Sequence, residues 1–477
     1  MASTDRPTGM TGFTVVWFGQ LVSLLGTGMT QFGLMIWAWR ETGSATALAL
    51  VFFFGFLPNV LMMPFAGALV DRYSRKAMMI VSDLAAGLTT VALLALYSSG
   101  ALHLWHVYVL VLVSGAFQAF QFPAYSAAIT MMVKKEHYAR ASGMLSTARD
   151  FSGVFSPIVA GVLLGVIGLS GIMVIDIVTF VFAISAILAV HVPQPPQSEE
   201  GKKGRRSFMR DAFFGFRYIY ERKPLLGLQL VFLAFNLVVT FGFVVDQPMI
   251  LARTGDSAPT LGTVLSVGGV GGVVGGVIMS LWGGPKRKTD GILGGMLALS
   301  VGGIVLFGLG REVVVWSAGL FIGALIVPIA NGSSQAIWQS KVPPDLQGRV
   351  FATRALIASI GSPIAMLLAG PAADLVFEPA LRGGGVPVAS ALVGAGPGAG
   401  MSLMLVIAGV MGAIVAVAGY AVRSVREAER LIPDHEVATG KAEKAGEGGD
   451  GQVGTHEGHP AATACKGQTD IEDGAQR

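Results

Sequence analysis

Uncharged polar side chains form two matching rows inside long apolar stretches of this chain. The first row consists of Gln20, Ser23, Thr27 and Gln31, and the second of Gln229, Asn236, Thr240 and Gln247. Residues repeated at intervals of three, four or seven lie on one face of a helix. Amides and hydroxyls on such a face either bond neighbouring helices together or line a cavity that holds a small molecule through a few directional hydrogen bonds.

Two more apolar stretches carry amides that extend this pattern. Gln118 and Gln121 lie near the middle of one stretch, and Asn331 and Gln335 lie one helical turn apart in another. Aromatic residues occur among them, and amides beside aromatic rings suit a bulky, amphipathic ligand. The candidates for lining a substrate cavity are Gln20, Thr27, Gln31, Gln118, Gln121, Gln229, Asn236, Thr240, Asn331 and Gln335.

Ionisable side chains are rare within the apolar stretches, and three of them are candidates for proton coupling: Asp83, Arg149 and Asp150. A charge in apolar surroundings is costly unless it has a partner or faces water. Arg149 and Asp150 point about 100° apart on a helix, so each needs its own partner, such as Asp83 for Arg149. Asp150 either carries protons between the two ends of the helix or belongs to an ion network that only holds helices together.

The elements that carry these residues are predicted to be membrane-spanning helices. The 477-residue chain is 53% hydrophobic and 13% charged, with a mean hydropathy of +0.65, which excludes an ordinary soluble domain. Twelve apolar runs are each long enough to cross a hydrocarbon core of about 30 Å, which predicts an all-α integral membrane protein with twelve transmembrane helices. The runs are 13–39, 45–70, 77–97, 104–133, 142–168, 172–191, 225–251, 261–282, 291–309, 313–337, 350–377 and 401–422.

The distribution of lysine and arginine between the runs predicts the orientation. Alternate connections contain Arg72, Arg75, Lys76, Lys134, Lys135, Arg140, Lys286, Arg287, Lys288, Lys341 and Arg349, whereas the intervening ones offer Arg40, Arg253, Arg311 and Arg382. Because cation-rich connections stay in the cytoplasm, both termini are expected there. Four carboxylates are then expected near the outer surface: Glu41, Asp176, Asp246 and Asp374.

An internal repeat divides the twelve runs into two sets of six. The offset is 209 residues for the pairs Gln20 and Gln229, Thr27 and Asn236, Gln31 and Thr240, and Arg140 and Arg349. The tripeptide Ser156-Pro157-Ile158 also returns, as Ser362-Pro363-Ile364. Two six-helix pseudo-repeats with a parallel relation are typical of transporters whose substrate path lies between the halves.

A compact charged segment, residues 67–76, separates the second and third runs. Its pattern Gly-x-x-x-Asp-Arg-x-x-Arg-Lys resembles the signature loop of the major facilitator superfamily. Residues 11–425 resemble the drug-efflux branch of that family, which includes macrolide efflux proteins and the enterobactin exporter. The resemblance implies the major facilitator fold and a conformational switch formed by Gly67, Asp71, Arg72, Arg75 and Lys76. A plain positive-inside loop without a mechanical role is the alternative. Ser74 departs from the pattern, because the family usually has glycine there.

Two polar segments flank the second set of runs. Residues 192–223 hold the densest basic stretch and are predicted to be a cytoplasmic linker with an amphipathic helix at the lipid surface, the alternative being a flexible loop. Residues 426–477 lack periodicity and are predicted to be a disordered cytoplasmic tail. An N-terminal six-helix domain is assigned to residues 1–191 and a C-terminal one to residues 224–425.

The resemblance implies a secondary transporter of the plasma membrane that exports a small amphipathic molecule, such as a drug, siderophore or secondary metabolite, by alternating access in exchange for protons. Proton-coupled uptake is the alternative, and a membrane-embedded enzyme is a distant one. No Gly-x-x-x-x-Gly-Lys-Ser/Thr loop, His-rich cluster or cofactor motif occurs in the sequence, so no cofactor or metal is expected. The expected partners are the substrate, protons and the lipid bilayer, without nucleic acid, and the chain is expected to act as a monomer.

Overall fold

The computed structural model describes residues 9–191, 208–382 and 386–434, and regular structure within these ranges is entirely helical. The first half consists of α1 (Gly9–Thr42), α2 (Ala45–Arg72), α3 (Arg75–Ser98), α4 (Leu104–Met132) and α5 (Tyr138–Ala189). The second half follows α6 (Phe208–Glu221) and consists of α7 (Lys223–Phe243), α8 (Asp246–Thr254), α9 (Ala258–Trp282), α10 (Lys288–Ala298), α11 (Leu306–Leu309), α12 (Val313–Lys341), α13 (Pro344–Ser359), α14 (Gly361–Ala372), α15 (Glu378–Leu381), α16 (Pro387–Val393), α17 (Ala399–Ala421), α18 (Arg423–Arg426) and α19 (Ala428–Leu431).

The described helices cross a membrane twelve times. Eleven helical segments are long and apolar enough to do so, and one of them contains two crossings. That segment is α5, whose 52 residues are interrupted at Gly168, where φ is 68° and ψ is −178°. Glycine adopts a positive φ without the steric cost that a side chain adds. The predicted fold class, with runs ending at residue 168 and restarting at 172, is therefore confirmed.

The two ends of the helix bundle differ in charge, as the sequence predicted. We call the end that carries Lys76, Lys134, Lys286 and Lys341 the cation-rich end, and the end that carries the turn at residues 43–44 the cation-poor end. Many large apolar side chains point away from the bundle between these ends, and Leu88 of α3, for example, is 61% exposed. An exposed apolar girdle of this kind is the surface that a bilayer covers.

The connection between α2 and α3 is shorter than the predicted charged turn. Helix α2 continues through Arg72 and α3 begins at Arg75, so only Tyr73 and Ser74 form the turn. The backbone of Ser74 has φ −60° and ψ 123°, and its hydroxyl accepts a hydrogen bond from the backbone N–H of Ala77. A serine N-cap satisfies one of the free N–H groups of a helix end. The turn therefore needs no positive φ, and serine is accommodated in the place of the usual glycine.

Helix α6 lies in the predicted linker and packs against the second half. Tyr218 and Ile219 are 6% and 1% exposed, and the Tyr218 hydroxyl donates to the carbonyl of Lys341 at 3.4 Å. The buried face of this amphipathic helix thus contacts protein. The rest of the linker, residues 192–207, lies outside the described residues.

Ordered structure continues past residue 425, the predicted end of the second domain. The Lys341 ammonium donates to the carbonyls of Glu429 and Ile432 at 2.7 and 2.6 Å, beside the end of α19. A cation at a helix C-terminus satisfies carbonyls that have no partner within the helix. This contact corrects the boundary of the predicted disordered tail, since residues 426–431 belong to the folded unit. Residues 435–477 lie outside the described ranges.

Candidate functional site

The first half contains a cavity of about 190 Å³ between α1, α3, α4 and α5. Its walls include five of the predicted cavity residues together with the proton-coupling candidate Asp83. The five are Gln20, Thr27, Gln31, Gln118 and Gln121. The polar face that the helical spacing predicted on α1 is therefore turned toward a cavity.

Gln20, Asp83 and Gln121 form a hydrogen-bonded cluster in this cavity wall. Gln20 Nε2 donates to Asp83 Oδ2 at 2.6 Å, while Gln121 Nε2 donates to Asp83 Oδ1 at 2.5 Å and to Gln20 Oε1 at 3.1 Å. The Asp83 side chain is 4% exposed. Two neutral amides supply the carboxylate with hydrogen bonds but with no opposite charge.

Asp176 is a second carboxylate in the wall of the same cavity. Its two oxygens accept hydrogen bonds from the hydroxyls of Thr27 at 3.1 Å and Thr90 at 2.8 Å. The residue is 2% exposed, so it lies inside the bundle. Hydroxyls on α1 and α3 hold it there, and no pattern in the sequence indicates that Thr90 takes part.

The second half contains a larger cavity of about 530 Å³ between α7, α12 and α13. Four predicted residues line it, namely Gln229, Asn236, Asn331 and Gln335. Among the described residues that line it, Arg354 of α13 is the charged one. The guanidinium donates to Gln335 Oε1 and Ser334 Oγ, both at 2.8 Å, and its Cζ lies 5.3 Å from the centre of the Trp338 ring.

The polar row on α7 also bonds two helices to each other. Gln229 Nε2 donates to the backbone carbonyl of Arg354 at 3.0 Å, and Asn236 Nδ2 donates to that of Ala358 at 3.2 Å. Thr240 is absent from the cavity wall, and its hydroxyl lies 3.3 Å from that of Ser362. Both interpretations of the row therefore hold for α7, where amides line a cavity and attach α13 at the same time.

Arg149 and Asp150 are both exposed on α5 and line neither cavity. Asp150 lies one turn from Val154, on the side of α5 that packs against α9. The suggested pairing of Arg149 with Asp83 is not observed, because the amides of Gln20 and Gln121 occupy the Asp83 carboxylate.

At the cation-poor end, Asp374 of the second half binds the first turn of α2. Its carboxylate accepts hydrogen bonds from Ser44 Oγ at 2.6 Å, Ala45 N at 3.0 Å and Thr46 N at 2.9 Å. A carboxylate at this place satisfies free N–H groups and complements the positive end of the helix dipole. A Cβ atom added to Gly370, one turn before Asp374, would lie 2.6 Å from Thr46 Cα, so the two helices are in close contact.

Two further contacts join the halves toward the same end. Trp39 Nε1 donates to Asp256 Oδ1 at 2.6 Å. Ser266 Oγ of α9 donates to the carbonyl of Val154 on α5 at 2.5 Å. Close to the latter bond, a Cβ added to Gly262 would fall against the carbonyl oxygen of Pro157 and 3.0 Å from its carbonyl carbon. The cation-poor side of the bundle is thus closed by direct contacts between the halves.

A family model agrees with this architecture. The model of the Major Facilitator Superfamily matches residues 16–366. This chain belongs to the major facilitator superfamily. The family consists of transporters, so the predictions of a transporter and of a protein that is not an enzyme are confirmed.

Efflux proteins are similar to this transporter over most of its length. Macrolide efflux protein A of Streptococcus pyogenes is 28% identical over 376 residues, which cover 76% of this chain and 90% of that protein. The multidrug efflux pump Tap of Mycolicibacterium fortuitum is 26% identical over 378 residues, covering 76% and 88%. The crystal structure of a bacterial homolog of the human lysosomal transporter Spinster has a TM-score of 0.63 and 16% identity, covering 86% and 96%, and at this identity it supports the fold alone.

The family's switch motif is only partly visible in this transporter. The backbone of Gly67, Asp71 and Arg72 is helical, whereas the side chains of Asp71 and Arg72 lie outside what the structure describes. Lys76 Nζ donates to the carbonyls of Leu188 and Val190, at 3.2 and 2.6 Å, at the end of α5 in its own half. Lys76 therefore ties α3 to α5, and the switching role of Gly67, Asp71, Arg72, Arg75 and Lys76 stays a prediction.

Arg354 is the functional candidate that the sequence analysis missed. It lies within the apolar run 350–377, where a cation is as unusual as Arg149 is in its own run. Arg149 lies seven residues before Ser156, and Arg354 lies eight residues before Ser362, the repeated serine of the second half. Comparison of the two halves around the repeated Ser-Pro-Ile would have identified it.

Proposed function

We propose that this transporter exports a small amphipathic molecule in exchange for protons by alternating access. The observation that carries the proposal is the pair of polar cavities, one in each half, of which the first contains two buried carboxylates. The similarity to a macrolide efflux protein and a multidrug efflux pump supports export as the direction. Asp83 is the carboxylate that we assign to proton binding, because it lies in a cavity wall and its hydrogen-bond partners among the described residues are the neutral amides of Gln20 and Gln121.

The energy source in this proposal is an ion gradient. The sequence contains no loop of the type that holds the phosphates of ATP. One elementary charge that moves down a potential of 100 mV releases about 2.3 kcal/mol. Since a tenfold concentration ratio corresponds to about 1.4 kcal/mol, one proton per cycle is enough for a useful gradient.

In the proposed orientation the cation-rich end is cytoplasmic, both termini are cytoplasmic, and the chain works as a monomer in the plasma membrane. Because the halves are in direct contact at the cation-poor end, the structure then represents a conformation that is closed to the outside. In this conformation the substrate binds from the cytoplasm. Asp374, Asp256 and Gly262 belong to the outer closure on this assignment.

Accumulation in an efflux-deficient bacterium tests the proposal. We expect cells that express the transporter to accumulate less of at least one compound from a panel of antibiotics, dyes and siderophores, and a protonophore to abolish the difference. Increased accumulation would instead identify a proton-coupled uptake system. Unchanged accumulation of every compound, with the protein present in the membrane, would contradict export.

We expect Asp374→Asn to open the outer side more often. The amide keeps the size of the side chain but loses the charge that binds the α2 N-terminus, so the ratio of the closed to the open form should fall about threefold to tenfold. Spin labels at the exposed positions Glu41 and Glu312, in a chain whose only cysteine, Cys465, is replaced by serine, would report the distance across this end. Asp290→Asn, at an exposed position of the other end, is the matched control. An unchanged distance distribution in the Asp374 variant would show that this carboxylate does not hold the closure.

A further inference from the structure

Arg354 is a half-buried cation that lies far from either end of its helix crossing. It follows Pro344, the first residue of α13, by ten positions, or about 15 Å along the axis. Within the described ranges, no carboxylate lies within 4.0 Å of its guanidinium nitrogens. A charge at such a depth is costly unless it is paired or faces an aqueous cavity, and the cavity of the second half is what Arg354 faces.

The guanidinium has hydrogen-bonding capacity left over. It carries five N–H donors, of which Gln335 and Ser334 accept one each. The remaining three donors include one on each terminal nitrogen and the Nε–H. Trp338 lies against the guanidinium at 5.3 Å and supplies a π surface, which does not compete for donors in the guanidinium plane.

The other lining residues do not neutralise this charge. The amides of Gln229 and Asn236 donate to backbone carbonyls of α13, so their contribution to Arg354 is to fix the helix that carries it. Phe232 and Phe351 add aromatic surface to the same cavity. A ligand in this space meets one cation, several amides and apolar rings.

The two cavities have opposite charge character. Among the described lining residues, those of the first-half cavity include Asp83 and Asp176 but no lysine or arginine, whereas those of the second include Arg354 but no carboxylate. A cationic group is therefore favoured in the first half, and an anionic group in the second. Protons and an anionic cargo can bind at the same time without competing for one site.

We propose that Arg354 binds the carboxylate of an amphipathic organic acid, which is a cargo class of this transporter. The planar guanidinium matches a carboxylate through two parallel N–H to oxygen bonds, and two of its free donors lie on adjacent nitrogens. Phe232 and Phe351 contact the apolar body of the acid. This inference rests on the proposed function, because it assigns the substrate class of the same pathway.

Binding of matched acids and amides to the purified full-length protein in lipid nanodiscs tests the inference. The probes are dansylglycine, dansylleucine and dansyltryptophan, each beside its uncharged amide, with dansyl fluorescence as the readout. We expect the wild type to bind at least one acid about ten- to a hundredfold more tightly than its amide, which is the contribution of charge-assisted hydrogen bonds. Arg354→Gln should bring the acid down to the affinity of the amide, and Arg354→Lys should retain part of the preference.

Arg217→Gln is the matched control, since Arg217 is an exposed arginine of α6 that lines neither cavity. It should bind acids as the wild type does. Equal binding of acid and amide by the wild type, including no binding of either, would overturn the inference, and so would an acid preference that survives Arg354→Gln. If Arg354→Gln does not fold, the inference is tested by the acid and amide affinities of the wild type and by the acid preference of Arg354→Lys.

The result of this binding experiment can be distinguished from the result of the accumulation assay that tests the proposed function. A transporter that lowers the accumulation of neutral or cationic compounds but does not distinguish acids from amides retains the proposed function and loses this inference. A protein that prefers acids in nanodiscs but changes the accumulation of no compound retains the site and loses export.

Discussion

Gly262→Ala is expected to reduce transport strongly by preventing the cation-poor end from closing. In the closed form, the added methyl group would fall against the carbonyl oxygen of Pro157, a backbone atom of α5 that cannot rotate away. Overpacking of a tight contact costs about 1–3 kcal/mol. The ratio of the closed to the open form should therefore fall about fivefold to a hundredfold, and transport should fall as the closed form becomes less populated.

Gly272→Ala is the matched control for this experiment. Gly272 lies on the same helix ten residues later, and a Cβ at this position has no atom within 4 Å. Both alanine variants gain the same helix propensity relative to glycine, so a difference between them reports the contact between the halves. Spin labels at positions 41 and 312 should be farther apart in Gly262→Ala than in the wild type. In Gly272→Ala their distance should be unchanged. Normal transport by both variants would contradict the role of this glycine in closure.

The fold could be predicted largely from the sequence because it depends on residues that are close together in the chain. Apolar run length determines whether a helix can cross a bilayer, and Gly168 marks the break in α5. The polar rows on α1 and α7 follow from helical spacing, and the structure turns both toward cavities.

The closure between the halves could not be predicted in this way. Asp374 bonds Ser44 and Thr46, which are more than 300 residues earlier in the chain. Nothing in the local pattern of either segment specifies this partner. The same holds for Asp83, whose neighbours Gln20 and Gln121 were predicted as cavity residues without any indication that they share one carboxylate.

The proton site that we propose differs from Asp150, the residue that the sequence favours, for a physical reason. The sequence placed Arg149, Asp150 and Asp83 together because each is an ionisable group in an apolar run. The structure separates them, since Asp83 is 4% exposed within a polar cluster whereas Asp150 is exposed on α5. A carboxylate that exchanges its proton during a transport cycle needs restricted access to water, which favours Asp83 over Asp150.

Asp83→Asn is expected to remove proton-driven transport while leaving the fold intact. Asparagine has the size of aspartate, and rotation of the Gln20 or Gln121 amide allows each member of the cluster to keep a hydrogen-bond partner. Thermal stability should therefore stay close to that of the wild type. Only the ability to take up and release a proton at this position is lost.

Liposomes loaded with a compound identified in the accumulation assay provide the measurement. For the wild type, an imposed pH gradient should accelerate transport of the compound. For Asp83→Asn, the accelerated component should fall at least about tenfold, whereas exchange of labelled for unlabelled compound without a gradient should continue, since it needs the cavities and the closure but no change of protonation. Asp290→Asn, at an exposed carboxylate near the cation-rich end, should behave as the wild type. If a pH gradient accelerates transport by Asp83→Asn as much as transport by the wild type, Asp83 is excluded from proton coupling. Asp150→Asn would then be measured in the same assay. Loss of thermal stability together with both kinds of transport would instead identify the cluster of Gln20, Asp83 and Gln121 as a structural connection between α1, α3 and α4.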